Sequence, residues 1–224
     1  MEEKSLLAKS ALQNDIFLYS LGDPSLPKFV LIGGIHGDEP EGAKIVEDFI
    51  AGSTSLEKKF KACVLAIPRY NPDGLNKLDR TNGNGVDLNR NFPSKDWGQE
   101  TRAGSALSGR YFPGPKPESE SETKGLVGLL KEKKPFLVVH CHTYSPQICY
   151  TGTKSEKWAK ILARDFGHPV TNDIGYPTPG SLGQYCLLNI DTPCVCVELP
   201  EEVESKIAWK MIGPSLLEIA LHGA

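Results

Sequence analysis

The chain has 224 residues, enough for one large domain or at most two small ones. Its 39% apolar and 24% charged composition is ordinary for a soluble globular protein, and a formal net charge of −3 gives no general attraction to nucleic acid or acidic membranes. No stretch approaches the roughly 20 apolar residues of a spanning helix, and the opening MEEKSLLAKSALQ lacks the apolar core of a signal peptide. A soluble, cytoplasmic protein is therefore expected, with no nucleic-acid or membrane partner; nothing in the sequence sets its oligomeric state.

Short apolar runs alternate with longer amphipathic stretches, the pattern of an α/β domain. Strands are expected over residues 16–20 and 28–33. The second leads into GGIHGDEPEG (33–42), which sets the His36 imidazole beside two carboxylates, Asp38 and Glu39. If the chain turns helically there, His36 and Glu39 lie on one side and can face one ion. A helix beginning near Glu41 follows, then a strand over 61–67. From 68 to 117 the sequence is dense in Asn, Gly, Pro, Asp and Arg and has little periodicity, which marks a functional loop region rather than a linker. Within it, RTNGNGVDLNRNFP (80–93) offers Arg80 and Arg90, whose guanidinium forks can grip a carboxylate or polarise an oxygen.

The next helix, near Glu120, is well signalled. Ser119 and Glu122 have capping-box spacing, glutamates fill the first turn, and Lys131, Lys133 and Lys134 close the far end. The acidic run ESESE thus reads as helix-start chemistry. A strand over 135–140 then enters FLVVHCHTYS, with His140 and His142 two apart. If the strand continues they share a face; if it ends near Cys141, only one need reach an ion. Spacing does not choose between them, but His142 lies nearer the carboxyl end, where open α/β sheets place their sites. A helix starting near Glu156 and carrying Trp158, Ile161 and Leu162 should stop at Gly167. The last strand, 194–198, ends in Glu198, a carboxylate leaving a buried run and so a candidate base. A final helix near Glu201 meets Gly213-Pro214, which should break or kink it. No repeat or compositional break divides the chain, so residues 1–224 are expected to form one catalytic domain. The six cysteines contain no C-x-x-C pair and are expected to be reduced, partly buried thiols.

These residue types suit one chemistry. A catalytic zinc takes three protein ligands, His nitrogen and carboxylate oxygen at about 2.0–2.2 Å, and keeps a position for water. That water needs a base, and the charge developing on a carbonyl needs donors.

The motifs HGDE, NPDG, GVDLNRNFP, HTYS and VELP, in this order, resemble the zinc carboxypeptidase family. The stretches 71–93, 114–123 (GPKPESESET) and 175–186 (GYPTPGSLGQYC) are most similar to its murein peptide amidase A branch, and the resemblance runs from about residue 27 to 200. It implies a mostly mixed, eight-stranded sheet sandwiched by helices, with one zinc per chain above the strand ends. It matches His36, Glu39 and His142 to the zinc ligands, Glu198 to the general base and proton shuttle, and Arg80 to the arginine that stabilises the oxyanion. Asn89 and Arg90 match the pair that holds a substrate carboxylate. Tyr185, after Gly180-Ser181, stands one residue short of the mobile tyrosine of the digestive enzymes, where the amidase branch tends to carry tryptophan. Tyr144, in HTYS, lies in a stretch more similar to the digestive enzymes. Both are expected substrate contacts. The implied activity is hydrolysis of a short murein peptide between γ-D-glutamate and diaminopimelate. A general carboxypeptidase, and a deacylase resembling the succinylglutamate desuccinylases, share the zinc motif. A non-catalytic binding module would be expected to lack Glu198, Arg80 or a zinc ligand, and none is missing.

Overall fold

The structure, a computed structural model, describes residues 3–99 and 109–223. Its strands are β1 (Glu3–Lys9), β2 (Asp15–Leu21), β3 (Lys28–Gly33), β4 (Cys63–Ile67), β5 (Leu137–Tyr144), β6 (Gln147–Thr151), β7 (Val170–Thr171) and β8 (Cys194–Pro200). They form one sheet in the order β1-β2-β4-β3-β5-β8-β6-β7. The middle four, β4-β3-β5-β8, run parallel, while β2 and β6 join this block antiparallel at either side. β3, β4 and β5 are buried almost throughout, which explains their unbroken apolar runs.

Helices cover both faces. On one, α1 (Pro40–Ser53), α4 (Glu156–Leu162) and α6 (Ser205–His222) pack Ile45, Phe49, Trp158, Ile212 and Leu216 against Phe29, Leu31 and Val139. On the other, α3 (Ser121–Lys133) sets Leu126 and Leu130 against Val30, Ile32 and Val138. Alternate residues of each buried strand thus feed separate cores, as the two-residue side-chain period requires. Two shorter helices are α2 (Pro72–Lys77) and α5 (Leu182–Tyr185), α5 continuing as a π-turn over Cys186–Ile190.

The five expected strands all form, but β5 and β8 run further than expected, because their pairing continues to Tyr144 opposite Pro200. β1, β6 and β7 were not individually anticipated: β1 is a largely exposed edge strand with no apolar alternation to reveal it, and β7 has only two residues. Two local expectations are corrected. Ser119 does not cap α3; Glu120 occupies that position without a side-chain cap bond. Glu122 instead turns inward, accepting from Ala11 N at 3.1 Å and Asn82 Nδ2 at 3.1 Å, so buried tertiary donors outcompete the capping box. The final helix starts at Ser205 and continues through Pro214 without a break. Gly213 serves packing there, since a Cβ would lie 2.5 Å from the Trp209 ring.

Close backbone approach sets the position of the site. A Cβ on Gly42 would lie 2.3 Å from the Cys141 carbonyl oxygen, and one on Gly33 would lie 2.2 Å from that of Gly42. Glycine at both lets the first turn of α1 rest directly on β3 and β5. The N-terminus of α1 is thereby held at the carboxyl edge of the sheet, where β3, β5 and β8 all end.

Candidate metal centre and active site

The segment leaving β3 and entering α1 carries His36 and, at the N-cap of α1, Glu39. β5 carries His142, and β8 carries Glu198 directly beside it in the parallel register. Asp38, the other acid of the opening motif, turns away to the cavity mouth, where Arg110 Nη2 donates to it at 2.8 Å.

Three donors converge. Glu39 Oε1 lies 2.7 Å from His36 Nδ1, Glu39 Oε2 lies 2.7 Å from His142 Nδ1, and the two Nδ1 atoms face each other at 3.0 Å. All three residues are buried, and their ligand atoms fall within 4.8 Å of one another. Two imidazole nitrogens aimed at each other, with a carboxylate astride them, make a group that could hold a metal ion, and His-His-Glu is a donor set that catalytic zinc takes. Burial opposes ionisation of Glu39, but His36 and His142 outweigh it and hold the carboxyl well below its usual range. A carboxylate that stays charged is what a cation requires.

The reverse side of His36 is also held. Its Nε2 meets Asp87 Oδ1 at 3.2 Å, and Asp87 Oδ2 accepts from Arg80 Nε at 2.9 Å. Burial opposes the charge on Asp87 as well, but Arg80, His36 and Arg90 overcome it and keep the carboxyl far below the normal carboxylate range. Asp87 had no role in the reading from sequence. The available signal was an acid set between the two arginines of RTNGNGVDLNR. Arg80 donates Nη1 to Glu39 Oε1 at 3.3 Å, and its guanidinium lies 5.0 Å from the Tyr111 ring centroid.

Glu198 is 5% exposed, and its Oε2 has no hydrogen-bond partner. The Cys196 thiol donates to Oε1 at 3.3 Å. Burial, reinforced by the charge of Glu39, pushes its carboxyl up from 4.5 to about 7. Asn89 and Arg90 lie on a 3₁₀ turn, Leu88–Arg90, which Asp87 caps by accepting from Asn89 N at 2.9 Å. Asn89 Oδ1 accepts from Leu182 N at 2.9 Å, and Arg90 donates Nη1 to the Asn89 carbonyl at 2.7 Å. Arg90 Nε is buried without a partner.

His36, Glu39, His142, Glu198, Arg80, Asn89 and Arg90 line one cavity of about 560 Å³. Tyr144, 58% exposed, stands at its mouth. Tyr185 does not line it, so its expected contact with substrate is corrected. On α5 it shares a face with Leu182, and the helical period carries both into the core. There Tyr185 stacks on Phe92 at a centroid distance of 6.1 Å. The tyrosine this stretch does present to the cavity is Tyr176, which lies on the loop before Gly180, near Arg90, Arg80, Glu198 and Tyr111. Its flanking Gly175 and Pro177 are the sequence signal for a surface loop that could have found it. His140 is buried behind His142 rather than aimed at Glu39.

Comparison with known proteins agrees with this geometry. A family model described as zinc carboxypeptidase matches residues 6–179. Murein peptide amidase A of Escherichia coli (strain K12) is 34% identical over 192 residues, covering 81% of this chain and 76% of that protein. The enzyme of the same name from Vibrio campbellii is 31% identical over 201 residues, covering 86% and 77%. Among solved structures, murein-tripeptide amidase MpaA from E. coli O157 superposes with a TM-score of 0.79 at 27% identity, covering 99% of this chain and 92% of that one. Bovine thrombin-activatable fibrinolysis inhibitor superposes at 0.81 with 19% identity, a likeness of fold. Among the described residues no helix is long and apolar enough to cross a membrane. The chain belongs to the zinc carboxypeptidase family, a family of zinc-dependent hydrolases.

Proposed function

We propose that this chain, as a single catalytic domain, is a zinc-dependent amidase that cleaves short murein peptides between γ-D-glutamate and diaminopimelate. The observation that carries the reading is the convergence of His36, Glu39 and His142 beside a buried carboxylate with a free oxygen, Glu198 Oε2. One zinc held by those three ligands supplies a Lewis acid that acidifies water and polarises the scissile carbonyl.

The chain's own groups account for the remaining steps. Glu198 takes the proton of the attacking water on the partnerless Oε2 and delivers it to the departing amine, the two roles of one positioned carboxylate. Arg80 supplies N–H donors for the charge that develops on the carbonyl oxygen. The unpartnered Arg90 Nε, beside Asn89, is a buried donor awaiting an acceptor, and a substrate carboxylate supplies one. Tyr144 borders the entrance, and a cavity of about 560 Å³ suits a peptide of a few residues. The two murein peptide amidases similar to this chain support the substrate class. Six free cysteines fit a reducing compartment, in keeping with a cytoplasmic role in recycling murein peptides.

Incubation with L-Ala-γ-D-Glu-diaminopimelate, followed by mass spectrometry, tests this. Release of diaminopimelate is expected, with kcat/KM at least about tenfold above that for ordinary peptides, roughly the effect of one charged contact. Equal or faster trimming of ordinary carboxyl-terminal residues would make the enzyme a general carboxypeptidase. Turnover of N-succinylglutamate alone would make it a deacylase.

A further inference from the structure

His142 Nδ1 faces Glu39 Oε2 and His36 Nδ1, so it is the nitrogen that gives its lone pair to a cation. The single proton of a neutral imidazole must then reside on Nε2. His142 is 2% exposed, and a buried N–H left without an acceptor is costly. The acceptor within reach is His140 Nδ1, at 2.9 Å, with the two rings edge-on at 87°. On the neighbouring strand His140 meets the Cys194 thiol, which is itself hydrogen-bonded to Cys186.

We infer that His140 is a positioning residue for the metal: by accepting the Nε2 proton of His142, it fixes the tautomer and ring angle that present His142 Nδ1 to zinc. His36 is held in the corresponding way by a carboxylate, Asp87. Among the described residues no carboxylate pairs with His142 Nε2; a second imidazole and a pair of buried thiols stand there instead. Such supporting partners typically alter metal affinity by about 10–100-fold.

His140, His142 and Cys196 could also be read as a second cation site, since their ligand atoms lie within 4.8 Å of one another. That arrangement requires His142 to give lone pairs from both ring nitrogens and hence to lose its last proton, which a buried neutral hydrogen bond avoids.

The inference rests on His142 being a zinc ligand, and the test separates the two. Zinc dissociation constants are measured by competition with a chromophoric chelator for the wild type, His142→Ala, His140→Leu and His140→Asn. The His140→Asn change places an amide oxygen near the position of Nδ1, whereas His140→Leu leaves no acceptor. The expected result is weakening of about 10–100-fold in His140→Leu, with recovery to within a few-fold of wild type in His140→Asn. Thermal unfolding of the metal-free proteins shows whether His140→Leu remains folded. The recovery in His140→Asn is informative in either case, because a role in packing alone would not depend on an acceptor. Wild-type affinity in His140→Leu, with loss in His142→Ala, would overturn the inference and leave the metal site standing. Wild-type affinity in His142→Ala would overturn the metal site itself. A second tightly bound equivalent that disappears in Cys196→Ser would place a cation between His140 and Cys196 and overturn the hydrogen bond.

Discussion

Glu198→Gln is expected to keep its zinc and to lose turnover by about 10²–10⁴-fold, the usual contribution of a general base. The substitution preserves size and replaces the partnerless Oε2 with a group that cannot take a proton at neutral pH. Glu198 is separate from the three residues that converge as ligands, so metal content and activity should part company. Near-normal turnover would remove Glu198 from the mechanism. The same variant makes an independent prediction for stability. Without metal, burial and Glu39 raise the Glu198 carboxyl from 4.5 to about 7. Between those values the folded chain holds a proton that the unfolded chain has released, so stability falls as pH rises through this window. Above it the penalty is about 3 kcal/mol. Stripped Glu198→Gln should therefore be more stable than the stripped wild type in urea at about pH 8, by up to about 3 kcal/mol, and the advantage should vanish near the unfolded carboxyl value. A pH-independent difference would show that Glu198 does not titrate there.

Arg90 is expected to read a free carboxylate on the substrate. Its Nε is buried without an acceptor, and the guanidinium is fixed by the bond from Nη1 to the Asn89 carbonyl. A charged hydrogen bond contributes on the order of 1.5–3 kcal/mol, so amidating that carboxylate should lower kcat/KM by roughly ten- to a hundredfold in the wild type. Arg90→Ala should be similarly impaired on the acid and nearly insensitive to amidation. Arg90→Lys should recover only part of the loss, because an ammonium keeps the charge without the fork. The two changes make a double-mutant cycle in which contact appears as non-additivity. Simple addition of the two penalties would mean that Arg90 and the carboxylate do not touch.

The parts of this site legible in the sequence were those whose chemistry depends on short spacing or on strand ends. His36 and Glu39 are three apart, and Glu198 closes an apolar run, so local pattern was enough to propose them. The choice between His140 and His142 was not open to spacing, because residues two apart on a strand share a face. Direction separates them: His142 reaches Glu39, and His140 stands behind it. Asp87 remained hidden because the histidine it holds, His36, lies 51 positions away in the chain. Tyr185 was misassigned for a local reason, a single helical turn that carries it inward with Leu182 while Tyr176 remains on the cavity loop. The same limit applies to the fold. The buried parallel strands announced themselves, whereas exposed β1 and the inward turn of Glu122 depend on contacts made only after the chain has folded.

In the proposed mechanism one zinc, held by His36, Glu39 and His142, supports amide hydrolysis driven by Glu198. The most direct test of that mechanism is to measure zinc content and turnover on the same samples, for the wild type and for His36→Ala, Glu39→Ala and His142→Ala, before chelation and during zinc add-back. One zinc per wild-type chain is expected, with activity rising in proportion to zinc returned and saturating at one equivalent, and with loss of both zinc and turnover in all three variants. Full turnover by chelated protein, or full zinc retention in any one of the variants, would contradict it.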